Sequence, residues 1–366
     1  MNIRMLTGMA LAALPLFTVS PCHAVFEDVL AVPSVPSPLA SVRLLNGVAR
    51  AGDRLVAVGQ RGHIVLSDDG GKTWLQTKVP VSTDLTAVHF PSPTHGWAVG
   101  HDGIVMLSED GGHNWAMQLD GQEAAQYVLA QANAHAKDGK PDAKELVEDA
   151  KRLVEQKADK PFLDVWFENV VTGYVVGAFN LIFRTDDGGK TWQSLYGAMD
   201  NPKRFHLNAI RGAAGELYAG GEQGLVMRFD RAKGRFVAIP LDYRGSLFGV
   251  IVKPGTVIAF GLRGNAFRSR DGKTWQKLAV GTASTITGGT VLDDGRVVLV
   301  TQAGQVLVSA DDGDTFNAAK IDKPTPLAGV TSSGKDGLAL VGNRGARVTV
   351  LTPAVAPGVT PTAAKQ

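Results

Sequence analysis

Cysteine is almost missing from this chain: Cys22 is the only one in 366 residues. No disulfide framework can therefore form within the chain. Cys-ligated zinc and, away from the N-terminus, cysteine catalysis are excluded as well. Charge of one sign is also lacking. The 37 basic and 35 acidic side chains leave a net +2, so bulk charge does not call for nucleic acid. Aromatics make up only 7% of residues. Outside the N-terminus, no apolar run reaches the roughly 20 residues of a membrane helix. There is no His-Glu-x-x-His, no Walker loop and no Gly-x-Ser-x-Gly. The 43 glycines have no strict every-third period, which excludes collagen.

The N-terminus is built differently. Arg4 precedes an apolar stretch over 5–19, and Cys22-His23-Ala24 places small residues at −3 and −1 of a signal-peptidase site. Residues 1–24 are therefore expected to be a signal peptide whose cleavage removes the sole cysteine. Pro21, not a small residue, precedes Cys22, which argues against a lipoprotein. The expected location is exported: periplasmic or lumen-facing, and membrane-associated only through a partner. The tail 353–366, rich in Pro, Ala and Thr, is expected to be disordered.

Between these ends one unit recurs. An apolar alternating run leads to Gly-x-x-Gly, a second apolar run comes next, and Ser-x-Asp-x-Gly-x-Thr-Trp closes the unit. In the first copy Gly59 and Gly62 precede Ser67-Asp-Asp69-Gly-Gly71-Lys-Thr73-Trp74. The matching aspartates are Asp110, Asp187, Asp271 and Asp311. The fourth copy degenerates to Phe229-Asp230-Arg231, and the seventh stops after an apolar run to Leu351. The second glycine (Asn in one copy) falls at 62, 103, 180, 224, 264, 304 and 345. One interval of 77 stands among intervals of 40 to 44, so it is one period plus an insertion of about 36 residues.

A period near 40 with four short strands per unit is a propeller blade, and seven copies give a seven-bladed β-propeller over 25–352. In the second copy the strands read 85–90, 97–100, 104–107 and 115–119. The last copy lacks an outer strand. Residues 26–32 (Phe-Glu-Asp-Val-Leu-Ala-Val) have strand character, so the segment 25–33 is expected to close the ring by pairing into blade seven. The insertion, about 122–160, carries apolar residues at helical spacing on both sides of Asp138-Gly139-Lys140. It reads as an αα-hairpin rising from the Gly-x-x-Gly face, either to cover the propeller's side or to grip a partner.

Each box aspartate sits in a hairpin turn, where it accepts from nearby backbone N–H groups. An EF-hand would need acidic residues at alternate positions and a later Glu, and these loops have neither. The aspartates are expected to be structural, with no metal and no cofactor.

The repeat Ser-x-Asp-x-Gly-x-Thr-Trp resembles the Asp box of sialidases and related propellers. Its combination with Ala-Val-Gly-x-x-Gly resembles the photosystem II assembly and stability factor family over about 40–351. That resemblance implies a non-catalytic assembly scaffold with an arginine-rich binding face. Here Arg61, Arg263 and Arg344 immediately precede the second tip glycine, and Arg204, Tyr243 and Arg244 lie in connections between blades. These six residues are the expected partner site, suited to carboxylates, phosphates or an acidic exported segment of a membrane-protein complex. The bland alternative is solvated hairpin arginines. A monomer is expected. Two other functions stay open: a sialidase-type glycoside hydrolase, with Glu222 the first acid to test, and a carbohydrate-binding sensor. The sialidase Arg-Ile-Pro signature is replaced by Arg43-Leu44-Leu45.

Overall fold

The computed structural model describes residues 27–140, 142–157 and 159–351. The proposed signal peptide and the C-terminal tail lie outside the described residues.

The apolar alternation of each repeat folds as a small antiparallel sheet, with the strand nearest the axis first in sequence. Seven sheets result, spanning 45–76, 85–119, 162–194, 207–239, 247–277, 286–319 and 327–350. Among the described residues six have four strands and the last has three. In the second blade the strands are Leu85–His89, Gly96–Gly100, Val105–Ser108 and Ala116–Leu119, within a residue of the expected bounds. Five of the second strands are buried along their whole length, and the other two at all but their first residue. Both of their faces pack against neighbouring blades, which is why they read as continuous apolar runs rather than alternating ones.

Polar ties one repeat apart join the innermost strands. Asn46 Nδ2 donates to Leu85 O at 2.8 Å, Thr86 Oγ1 to Phe162 O at 2.8 Å, Asn208 Nδ2 to Leu247 O at 2.9 Å and Thr287 Oγ1 to Leu327 O at 2.7 Å. In blade three the tie is a buried carboxylate. Asp164 accepts from Ile210 N–H at 2.8 Å and pairs with Arg211. These side chains line a central cavity of about 150 Å³ to which all seven inner strands contribute.

The Gly-x-x-Gly pattern has a packing cause. A Cβ on Gly59 would lie 2.3 Å from Leu44 O, in the connection entering its own blade. A Cβ on Gly62 would lie 2.2 Å from Val81 O, in the connection leaving for the next. The glycines thus let each tip nest between two connections.

Among the described residues 27–33 the expected closing strand does not form. Phe26 lies outside the described residues, and 27–39 contain no strand. They run along blade one instead: Ser82 N–H donates to Val29 O at 2.8 Å and Ser34 N–H to Val79 O at 3.0 Å. Pro33, Pro36 and Pro38 have no N–H to give a ladder. The short helix Ala40–Val42 then stands where a connection from blade seven to blade one would run. A Cβ on Gly345 would lie 1.9 Å from Ser41 O, the same nesting seen at the other tips. The ring is closed by apolar packing of Val341 and Ala346 from blade seven against Leu45, Ala57 and Val65 of blade one.

The insertion is the expected pair of helices, α1 (Gly121–Lys137) and α2 (Ala143–Glu155). Asp120 caps α1, accepting from Gln122 and Glu123 N–H, and Glu123 reaches back to Asp120 N–H. Ala124, Ala125, Val128 and Ala132 pack with Leu146, Ala150 and Leu153 in the core of blades two and three.

Candidate functional site

The box hairpins lie at one end of the blades, and the tips and inter-blade connections at the other. At the box end the aspartates do structural work. Asp69 Oδ1 accepts from Ser67 Oγ at 2.9 Å, Lys72 N–H at 3.0 Å and Thr73 N–H at 2.9 Å, while Oδ2 takes Thr73 Oγ1 at 2.6 Å. Asp110, Asp187, Asp271 and Asp311 repeat this pattern. The threonine hydroxyl and amide hold the pKa of Asp187 and of Asp311 down to about 2. Among the described residues no group of three or more His, Cys, Asp or Glu could hold a metal ion.

At the tips, five blades turn through residue pairs with both φ angles positive. These are Arg61–Gly62, Asp102–Gly103, Phe179–Asn180, Gln223–Gly224 and Arg263–Gly264. His63 N–H closes the first turn onto Gln60 O at 3.0 Å. This is the I′ geometry that suits the twist of a hairpin. It holds a non-glycine residue in the left-handed region at each tip, with its side chain exposed or half-buried. Asn180 stands in for glycine and uses its side chain, donating to Tyr196 O at 3.0 Å and accepting from Asn201 Nδ2 at 2.8 Å.

The six residues expected to bind a partner fare differently. Arg61, Arg263, Arg344 and Arg244 are exposed and have no carboxylate partner among the described residues. Arg344 is not equivalent to the other two tip arginines. In its turn only Gly345 has positive φ, because the last hairpin is a two-residue loop between Gly342 and Gly345. Arg204 is occupied: its guanidinium lies 2.8 Å from Asp149 and 3.8 Å from Glu145, over the Tyr196 ring. It pins α2 to the tip face. Tyr243 is structural too. Its hydroxyl donates to Leu262 O at 3.1 Å, its ring packs on Phe267, and burial pushes its pKa up. Arg43, in the connection entering blade one, is exposed on the same face and has no carboxylate partner among the described residues. Its place just before an inner strand was the signal in the sequence.

The face is divided. On the side of blades two to four, acidic groups are engaged. Asp84 accepts Arg61 N–H at 2.8 Å, Asp102 accepts from Thr83 Oγ1, and Glu222 takes both the backbone N–H and the ring nitrogen of His206, at 2.9 and 2.7 Å. Burial would raise the Glu222 pKa, but the bonds from His206 outweigh it and hold the carboxyl below its usual range. The side of blades five, seven and one carries the unpaired arginines.

Together, the closed ring, the aspartate-pinned hairpins and the polar tip face define a seven-bladed β-propeller of the Asp-box type. Its relatives narrow the class. The chain belongs to the family described as photosynthesis system II assembly factor YCF48, whose model matches residues 72–140 and 143–261. It is 24% identical over 158 residues to the photosystem II assembly lipoprotein Ycf48 of Synechococcus sp. (strain CC9902). That match covers 42% of this chain and 47% of the relative, so the chain spans about half the length of the curated relative. Its fold is similar to that of YCF48 bound to D1 peptide, with a TM-score of 0.62 at 17% identity, covering 85% of this chain and 94% of the other. YCF48 from Cyanidioschyzon merolae gives 0.60 at 15% identity, covering 87% and 99%. The WD40 propeller of Doa1 gives 0.60 at 10% identity, covering 87% and 95%. Structural likeness at this level speaks for the fold alone.

Proposed function

We propose that this chain is an exported, non-catalytic propeller scaffold whose tip face holds an acidic segment of a membrane-protein complex during assembly. One observation carries this reading. Of the 18 described arginines, seven have no carboxylate within ion-pair distance, and five of those seven (Arg43, Arg61, Arg244, Arg263 and Arg344) lie on the tip face. Arginines left unpaired and exposed on one surface are available for planar, two-pronged recognition of carboxylates. The family relationship supports the assembly role, and one structural relative, a YCF48, is bound to D1 peptide. Among the described residues no helix is long and apolar enough to cross a membrane.

The non-catalytic reading rests on the same face. A glycosidase acid needs a raised pKa, whereas Glu222 is held ionised by His206. Tyr243, the tyrosine of the expected site, has its hydroxyl committed to a backbone carbonyl. No turnover of fluorogenic glycosides is expected, and measurable turnover would overturn this part.

The decisive test is Arg61→Glu combined with Arg263→Glu, followed by a pull-down from envelope extracts. Both side chains are exposed, so the variant should fold normally yet lose its partner. Native binding should also weaken as salt rises. Retained binding by the folded double variant at low salt would sink the proposal.

A further inference from the structure

Among the described residues the last strand of blade seven, Gly345–Val350, is an open sheet edge. In every other blade the third strand is covered by a fourth, of between two residues (Leu75–Gln76) and five (Arg235–Ile239). Here no fourth strand is present among the described residues. The backbone alternation identifies the groups left over. Leu351 N–H donates to Asp336 O at 2.7 Å, continuing the register in which Gly337 lies opposite Val350. Residues 345, 347, 349 and 351 therefore bond inward, and Ala346, Val348 and Val350 turn N–H and C=O to the open side. The short helix at Ala40–Val42 reaches only the Gly345 end, where Ser41 O meets the glycine. Val350, at the far end, is 66% exposed.

Such an edge is normally blunted by proline, by a bulge or by an inward charge. This one has no proline and no register shift against its neighbour. Two arginines accompany it. Arg344 stands in the turn that opens the strand, and Arg347 lies within it, donating to Lys323 O at 2.9 Å. Arg347 Nη2 is buried with no partner, and burial lowers the pKa of the guanidinium. The neighbouring acid Asp336 is already paired with Arg296. The edge therefore offers backbone bonds beside two arginines that have no carboxylate partner among the described residues.

We propose that an extended acidic segment of the partner docks here as the fourth strand of blade seven. Main-chain bonds to Ala346, Val348 and Val350 would supply affinity, and Arg344 and Arg347 would select acidic side chains. The acidity of the partner rests on the proposed role of the tip face; the docking mode rests on the open edge. One end of the added strand would lie beside Arg344, continuous with that face.

The test uses the whole chain and an end-blocked peptide of alternating valine and glutamate, about ten residues long. Hydrogen exchange should show the Ala346, Val348 and Val350 amides slowing at least about tenfold when the peptide is added. Val350→Pro removes one outward donor without touching the ladder, and should weaken peptide binding by about tenfold or more. A peptide of alternating valine and lysine should bind less well still. Failure of the acidic peptide to bind, binding without protection of these amides, or full binding by Val350→Pro would overturn the proposal. If Val350→Pro does not fold, the exchange pattern of the unmodified chain still decides. The two ideas separate cleanly. Loss of envelope partner in the Arg61/Arg263 variant with no edge protection leaves the tip-face role alone standing. Edge protection with partner binding intact in that variant leaves only the strand docking.

Discussion

Removing the carboxylate of Asp187 should cost stability at neutral pH and nothing in strong acid. In the native hairpin Asp187 accepts from Thr191 Oγ1 at 2.6 Å, Thr191 N–H at 2.9 Å and Thr185 Oγ1 at 2.8 Å. Hydrogen bonds to a charged acceptor contribute about 1.5–3 kcal/mol each when shielded and far less when open to water. The turn is partly solvated, so Asp187→Ala should lose about 1–3 kcal/mol in all, lowering Tm by roughly 2–4 °C per kcal/mol. The pH dependence comes from the sign of the shift. The bonds from Thr191 hold the folded-state pKa down to about 2, below the ordinary aspartate value of 3.8. A lowered carboxylate pKa gives stability that is fully present above about pH 4 and is lost as pH falls toward 2. The gap between native chain and Asp187→Ala should therefore be constant from neutral pH down to about 4 and close by about pH 2. Asp187→Asn keeps an acceptor without the charge, so its deficit should be smaller than that of alanine and should close over the same pH range, leaving the difference between the two variants flat with pH. Chemical denaturation of the three proteins at several pH values measures all of this. A gap of the same size at pH 7 and near pH 2 would refute the reasoning, and so would no gap at all.

Two further substitutions probe the tip end. Asn180→Ala should destabilise by about 2–3 kcal/mol in denaturant melts, because the buried Tyr196 O and Asn201 Nδ2 lose their partner and alanine is strained at φ 68°. Asn180→Gly should lose less than Asn180→Ala, since it removes only the bonds; an equal loss would discount the backbone argument. Asp149→Ala should release α2 locally, because Arg204 is left half-buried without its closest carboxylate. A loss of about 1–3 kcal/mol is expected, with faster amide exchange confined to the helical pair, and unchanged exchange there would refute the pinning role of Arg204.

Local chemistry carried most of the fold into the sequence. The period near 40 residues announced blades because each repeat must bury its faces against the next. The box aspartates were legible because their partners lie within four residues, at Ser67 and Thr73 or Thr185 and Thr191. The helical insertion was legible because its apolar stripe matches the helix period. The features that stayed hidden depend on groups far apart in the chain. Residues 26–32 look like a strand, but prolines at 33, 36 and 38 withhold ladder donors, and bonds from Ser82 to Val29 and from Ser34 to Val79 tie the segment to blade one. Arg204 and Arg61 read alike as exposed tip-face cations. Only the folded chain brings Asp149, 55 residues away, against one and leaves the other unpaired. Arg344 matched Arg61 by spacing, yet a shorter hairpin loop gives it a different backbone. Tyr243 matched a site by position, and its hydroxyl was taken by Leu262 O. Spacing determines which residues share an end of the propeller. Whether a charge there is free or spent is decided by partners that only tertiary packing supplies.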